Sequence, residues 1–502
     1  MSAKTSNKHL TTHDLGSSLA QTKHYVVKRF VTLLLVVVAA TALRPLSVEP
    51  TAQATPPNII FLLADDQRWD ALGVAGNSVI KTPNIDKLAR EGFYFQRSYV
   101  TTPICAVSRA SILSGQYARR HGIVDFAKPF SDSALAQTYP LVLRKQGYRT
   151  GFIGKYGVGD EMPENQYDYW KGFKGQGQYA AKDAQGKPIH LTDLMGLQMD
   201  EFLTNNPKGK PFCLSVSFKA PHAQDGAKIE FPYADRFDEL YKNQTLKRPA
   251  ASADKYYQQF PDWFRHNDQN ESRIRWSRRY ANDSLFQQIT KSYFRLITGI
   301  DDVVGNLRKS LQERGLADNT IIVYTSDNGF YLGEYGFADK WYGHELSLRV
   351  PLIIYDPRRP NWHGRTTNQY TLNIDLAPTL LTLAGAPIPK RMQGRSLTAL
   401  MDNRDGGDAA SRLAKSPWRT EFFFEHLVNL PTVFIPQTEG VLSQDRKYVH
   451  YFNLRESADS YEEVYNLKTD PQELTNLATL PQGKSLKNTL LPTFNRLKAA
   501  AQ

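Results

Sequence analysis

Asn58-Ile59-Ile60-Phe61-Leu62-Leu63-Ala64-Asp65-Asp66 is an apolar run closed by two carboxylates. Its length and composition predict a β-strand over residues 58–64. Four further runs, over residues 150–153, 212–218, 320–325 and 351–355, are separated from it and from one another by helical stretches. That alternation, from residue 56 to about residue 385, predicts an α/β fold with a mainly parallel sheet flanked by helices. Ligands in such sheets bind beyond the carboxyl ends of the strands. The first four runs end there in polar residues: Asp65-Asp66, Lys155, His222 and Asp327-Asn328.

Three carboxylates and an amide at one sheet edge repel one another unless a cation holds them. Oxygen donors favour calcium or magnesium. Asp65, Asp66, Asp327 and Asn328 are therefore candidate metal ligands.

Cys105 opens Cys105-Ala106-Val107-Ser108-Arg109-Ala110-Ser111-Ile112-Leu113-Ser114-Gly115. The helical run after it places Cys105 at a helix N-terminus, where unpaired N–H groups attract anions. Arg109, at i+4, shares its face. Lys155 lies in Gly154-Lys155-Tyr156-Gly157, where the glycines leave room for a ligand. His222 follows Lys219-Ala220-Pro221, and Lys340 lies in Ala338-Asp339-Lys340-Trp341. With Arg109 these make a candidate anion site, in which His222 is placed to protonate a leaving oxygen.

The Cys105 run, the paired acids and their order along the chain resemble the type I sulfatases of the alkaline phosphatase superfamily. The similarity extends from Asn58 to the run Glu473-Leu474-Thr475-Asn476-Leu477-Ala478. The resemblance implies that Cys105 is matured to formylglycine by a dedicated enzyme. The hydrated aldehyde would then offer one oxygen to attack sulfur while the other expels sulfate. It implies that the same residue, with Asp65, Asp66, Asp327 and Asn328, holds calcium, and that Arg109, Lys155, His222 and Lys340 contact formylglycine or sulfate. Phe424-Glu425-His426 and the run over residues 435–441 look like those of bacterial sulfatases acting on sulfated sugars, including N-acetylglucosamine-6-sulfatase-like enzymes. His344, Glu425 and His426, with Trp263, Trp276 and Trp341, are candidate saccharide contacts. Two positions depart from the family pattern: Val107 stands where it has proline, and Gly157 where it has histidine. The first bears on maturation of Cys105. The second bears on the proton of formylglycine, for which Asp327 is a candidate.

The leading reading is a sulfuric ester hydrolase acting on a sulfated carbohydrate. The alternatives are a phosphodiester or phosphonate hydrolase of the same superfamily, and a catalytically silent protein that binds sulfated glycans.

The rest of the chain is consistent with an exported enzyme. The 502 residues are 41% hydrophobic and 22% charged, which excludes general disorder. Arg29 followed by the apolar run to Ala40 is short for a bilayer span and reads as the core of an export signal, with cleavage expected after Ala54. A periplasmic or secreted location is therefore expected, with no stable membrane partner. The formal charge is +12; six basic and two acidic residues precede residue 55, which leaves +8 for the remainder. That surplus suits an anionic substrate, and its interspersion with acids argues against nucleic acid. Of the two cysteines, Cys213 lies in an alternating core-like run, which leaves Cys105 for chemistry. The expected division is a leader over residues 1–54, a catalytic α/β domain over 55–390 and a smaller α+β domain over 391–502. Within the catalytic domain, residues 225–279 read as an insertion over the site.

Overall fold

The alternation of β1 (Asn58–Asp65), every residue of which is buried, sets up the layers of the molecule. Ile60, Leu62 and Ala64 face one apolar core while Ile59, Phe61 and Leu63 face another. This is the period-two consequence of a pleated strand. The computed structural model describes residues 55–402, 417–430 and 432–502. The export signal expected over residues 1–54 lies outside them.

The central sheet has eight strands. In chain order they are β1, β2 (Phe93–Phe95), β3 (Arg149–Lys155), β4 (Tyr169–Phe173), β5 (Phe212–Pro221), β6 (Thr320–Ser326), β7 (Leu352–Tyr355) and β8 (Arg365–Thr367). Their spatial order is β8-β2-β7-β6-β1-β5-β3-β4. The block from β6 to β4 is parallel throughout. β7 runs antiparallel to both of its neighbours.

Helices α1 (Pro83–Glu91), α4 (Leu191–Thr204) and α6 (Asp283–Glu313) cover the face that carries Ile60 and Leu62. Helices α2 (Cys105–Ser114), α3 (Tyr139–Lys145) and α7 (Leu376–Leu383) cover the other. Both faces are thereby dry, as a parallel block requires. No described helix is long and apolar enough to cross a membrane. The stretch 225–279 folds as short helical pieces, of which α5 (Glu271–Arg279) matters most for the site.

A second, antiparallel sheet follows: β9 (Glu421–His426), β10 (Gln437–Ser443), β11 (Arg446–Asn453) and β12 (Glu456–Asn466), paired in that order. One face, with Phe423, Val441 and Val464, packs on α8 (Pro481–Ala500) through Leu490 and Phe494. The opposite face, with Phe422, Phe424 and Tyr451, joins Tyr331, Tyr335, Phe337 and Tyr342 in one aromatic core. The smaller sheet thus backs the loop that carries Lys340.

Candidate active site

The carboxyl ends of β1, β3, β5 and β6 meet over the first turn of α2. β1 and β5 pair in regular register up to Leu63 and Ser217, then shift so that Asp65 stands opposite Pro221. This irregularity, of a kind common beside active sites, brings the end of β5 and His222 toward the acids. Asp66 follows in a left-handed conformation, φ 70°, and its amide donates to Asp327 Oδ1 at 3.1 Å. The turn therefore joins the ends of β1 and β6.

Asp65, Asp66, Asp327 and Asn328 are all at most 1% exposed. Cations answer them one by one. Lys155 Nζ lies 2.6 Å from Asp65 Oδ2 and Lys340 Nζ lies 2.6 Å from Asp66 Oδ1. Arg109 donates through Nε to Asp327 Oδ2 at 2.9 Å, and its Nη2 is 3.3 Å from Asp65. Arg109 Nη1 also donates to the Lys155 carbonyl at 2.7 Å and to Ser217 Oγ, which fixes the guanidinium plane.

Burial opposes ionisation of Asp65, but Lys155, His222, Arg109 and Lys340 outweigh it and hold this carboxyl well below its usual range. For Asp66 the balance reverses. Burial, with repulsion from Asp65 and Asp327, lifts it to about 7 despite Lys340. A buried group that retains a proton near neutrality marks a place short of positive charge. Asn328 Oδ1 points the same way, being buried without a hydrogen-bond partner. Donor atoms of Asp65, Asp66, Cys105 and His222 all lie within 4.8 Å of one another. Three buried carboxylates, one of them retaining its proton, with an orphaned amide oxygen, fit a divalent cation of the calcium or magnesium kind.

Cys105 is the first residue of α2, and Ile104 before it supplies no side-chain cap. The orphan amides of that turn and the cations of Lys155 and Lys340 make an anion-attracting corner. Cys105 Sγ is 3.4 Å from Asp65 Oδ1. Burial and Asp65 push its thiol far up, so the unmodified side chain is a poor nucleophile. Cys213 is buried on β5 and unpaired.

His222 Nδ1 donates to the Ala223 carbonyl at 2.6 Å, so Nε2 faces the acids, 3.6 Å from Asp66 Oδ2. Burial, then Lys340, depresses this imidazole well below its ordinary value. It is held in the neutral form and must gain a proton before it can give one.

The glycines around Lys155 serve packing. Gly154 lies where a Cβ would meet the Ser217 carbonyl, and one on Gly157 would meet Arg109 Cδ at 2.9 Å. The lysine itself is steadied by Gln176, whose Oε1 accepts from Nζ at 2.6 Å. Gln176, in a loop without periodicity, carried no signal in the sequence.

A cavity of about 130 Å3 opens beside Cys105, His222 and Lys340, walled by Trp341, Phe126 and Arg275 among others. The three titratable saccharide candidates do not line it. His344 is fully buried, stacked on Tyr335 with its Nε2 3.2 Å from Glu463. Glu425 is buried against Arg119 at 2.7 Å, and burial lifts its carboxyl to about 7. His426 is fully buried, which lowers it to about 3 and keeps it neutral. Trp263 packs on Phe264 and Phe434, and Trp276 donates to the Gly333 carbonyl. Of the aromatic candidates Trp341 alone lines the cavity.

Comparison with known proteins agrees with this geometry. The family model described as Sulfatase matches residues 57–386. One described as N-sulphoglucosamine sulphohydrolase, C-terminal, matches residues 333–500. The chain is 30% identical to the N-acetylglucosamine-6-O-sulfatase of Bacteroides thetaiotaomicron, over 90% of this chain and 88% of that protein. Its fold is similar to the solved structure of BT4656 in complex with its substrate D-glucosamine-2-N,6-O-disulfate, with TM-score 0.74 and 28% identity, covering 89% of this chain and 98% of that one. The fold is also that of the phosphonate monoester hydrolase of Agrobacterium radiobacter, with TM-score 0.72 and 20% identity, covering 89% and 96%. The Sulfatase match spans the sheet whose strand ends carry the site, and the likeness to a bacterial sulfatase runs on through the smaller sheet. The chain belongs to the sulfatase family of the alkaline phosphatase superfamily and is a sulfuric ester hydrolase.

Proposed function

We propose that this enzyme removes sulfate from a sulfated saccharide, using residue 105 after its conversion to formylglycine and a calcium ion held by Asp65, Asp66, Asp327, Asn328 and residue 105. The observation that carries the reading is the buried set of three carboxylates faced by Lys155, Lys340 and Arg109, with Asp66 lifted to about 7 beside an unpartnered Asn328 oxygen. Once Asp66 is ionised, the three acids and the three cations balance. A divalent cation, with magnesium as the alternative, would make the pocket positive and suited to a sulfate monoester anion.

When bound, the metal would supply positive charge to a sulfate oxygen, and formylglycine would supply the oxygen nucleophile that a buried thiol does not. Cleavage would fall at the S–O bond. Lys155 and Arg109 hold charge at the nucleophile's side, since both touch Asp65. Lys340, on the cavity wall, would stabilise the leaving oxygen. His222 Nε2, 3.6 Å from Asp66 Oδ2 and on the same cavity wall, would be the proton donor to that oxygen once protonated. A saccharide carrying a sulfate on glucosamine is the favoured substrate, because the relatives named for N-acetylglucosamine 6-sulfate and D-glucosamine-2-N,6-O-disulfate match most of the chain. A maturation enzyme for Cys105 and export to the periplasm or beyond belong to the same proposal.

The test is sulfate release from 6-O-sulfated glucosamine, measured beside turnover of an aryl phosphodiester and with calcium removed and restored. Calcium-dependent sulfate release is expected. Dominant phosphodiester turnover would favour the phosphonate-hydrolase reading, and binding without release would favour a silent glycan binder.

A further inference from the structure

Lys340 sits on a backbone that its own sequence disfavours. Asp339 and Trp341, on either side of it, have φ of 71° and 90°, and Tyr335 before them has 56°. Such non-glycine left-handed residues persist where the surroundings over-determine them. The surroundings here are α5, a helix of the segment read as an insertion. Ser272 Oγ donates to the Ala338 carbonyl at 2.6 Å and accepts from its amide at 3.1 Å. Arg273 donates to the Gly336 carbonyl at 3.2 Å, and Trp276 Nε1 to the Gly333 carbonyl at 3.3 Å. Arg275 and Arg279 both ion-pair with the carboxylate of Asp339, which is 1% exposed. Asp225 in turn holds the two arginines, at 3.2 Å and 2.7 Å. Five side chains along about two turns of one helix thus grip residues 333–339 and leave Lys340 directed at Asp66.

The same helix also meets the ligand space, because Glu271 and Arg275 line the cavity beside Cys105. Glu271 accepts from Arg275 Nε at 2.6 Å, so that wall is tied to the grip on Asp339.

We propose that α5 is a brace for the leaving-group side of the site, with Arg275 and Arg279 as positioning residues that act through Asp339 on Lys340. The proposal rests on the reading of Lys340 as the group that stabilises the leaving oxygen.

The test compares matured wild type, R275Q, R275K and K340A on a series of aryl sulfates spanning good to poor leaving groups, with formylglycine content and melting temperature measured for each. If α5 positions Lys340, R275Q lowers kcat roughly tenfold to a hundredfold on poor leaving groups and little on good ones, a fraction of what a full acid or charge stabiliser contributes. K340A shows the same slope more strongly, and R275K recovers most of the loss. A purely structural role would lower all substrates alike, and a substrate contact would raise KM at constant kcat. Either result for R275Q overturns the brace, as does an R275K variant no better than R275Q. Should R275Q fold poorly, D339N carries the same prediction and the same refutation. Wild type inert toward every aryl sulfate and toward 6-O-sulfated glucosamine would refute the sulfatase mechanism itself. Active wild type with a K340A profile parallel to it would refute the role of Lys340 and the brace together.

Discussion

Lys340 Nζ lies 2.6 Å and 2.7 Å from the two carboxylate oxygens of Asp66, both groups being buried. Removing the lysine leaves that acid facing Asp65 and Asp327 without a fixed counter-charge. K340A is therefore expected to lose at least a hundredfold in kcat, the scale of a lost charge-stabilising donor. Its metal-free form should also melt well below wild type, and calcium should narrow that gap. Calorimetry with and without calcium checks this, and an equal gap in both conditions would contradict it.

Metal affinity should depend on pH through Asp66. The folded group keeps its proton up to about pH 7, while the unfolded chain releases it near the ordinary carboxylate value of 3.8. Metal-free protein therefore loses stability through this group as pH rises across that window. A divalent cation requires the ionised acid and competes with the proton. The calcium-induced rise in melting temperature should thus grow between pH 5.5 and pH 8. A rise that is flat across that range would contradict the assignment of Asp66 as a ligand.

Gly157 offers a sharp backbone test. Its φ is 67°, and an added Cβ would stand 2.9 Å from Arg109 Cδ. Restoring the family's histidine with G157H should cost about 1–2 kcal/mol in backbone conformation alone and displace Arg109 from Asp327, lowering kcat. Denaturant titration and steady-state kinetics read both effects. A G157H variant as stable and as active as wild type would show that the loop moves freely.

Away from the chemistry, Lys447 on β11 binds Glu345 at 3.0 Å and Glu473 at 2.7 Å, fully buried. K447M strips the counter-charge from two buried acids and should destabilise by about 3–5 kcal/mol. Activity per folded molecule should change little, because these residues lie outside the cavity wall. A loss of kcat without a loss of stability would mean that the smaller sheet takes part in the reaction.

The sheet was legible because its strands are written as apolar runs closed by functional residues. Residues 58–64, 212–218 and 320–325 differ from the observed strands only at their ends. Asp65 and Lys155 end strands of that sheet, Asp66, His222, Asp327 and Asn328 follow strand ends, and Cys105 opens a helix with Arg109 one turn on, so one sheet edge gathers them; Lys340 reaches it from the loop braced by α5. His344 reads as a saccharide contact from type, and Glu425 and His426 from type and from a run resembling those of carbohydrate sulfatases, since burial on the turned-in side of a strand or loop leaves no local signal. Gln176 and the α5 arginines escaped notice for the opposite reason. The arginines reach Asp339 across about sixty residues of chain and Gln176 reaches Lys155 across 21, and these partners are set by packing. The two departures divide in the same way. Gly157 acquires a reason from the Arg109 side chain beside it, whereas Val107 is simply a buried residue of an apolar cluster with Ile104 and Trp341.

Everything said of turnover depends on the chemical state of residue 105. The most direct measurement is the mass of the peptide carrying residue 105, taken from preparations that release sulfate at different specific activities. The account predicts a peptide lighter by the difference between a thiol and an aldehyde, in a fraction that rises in proportion to activity. A fully active preparation in which Cys105 remains an unmodified thiol would contradict it.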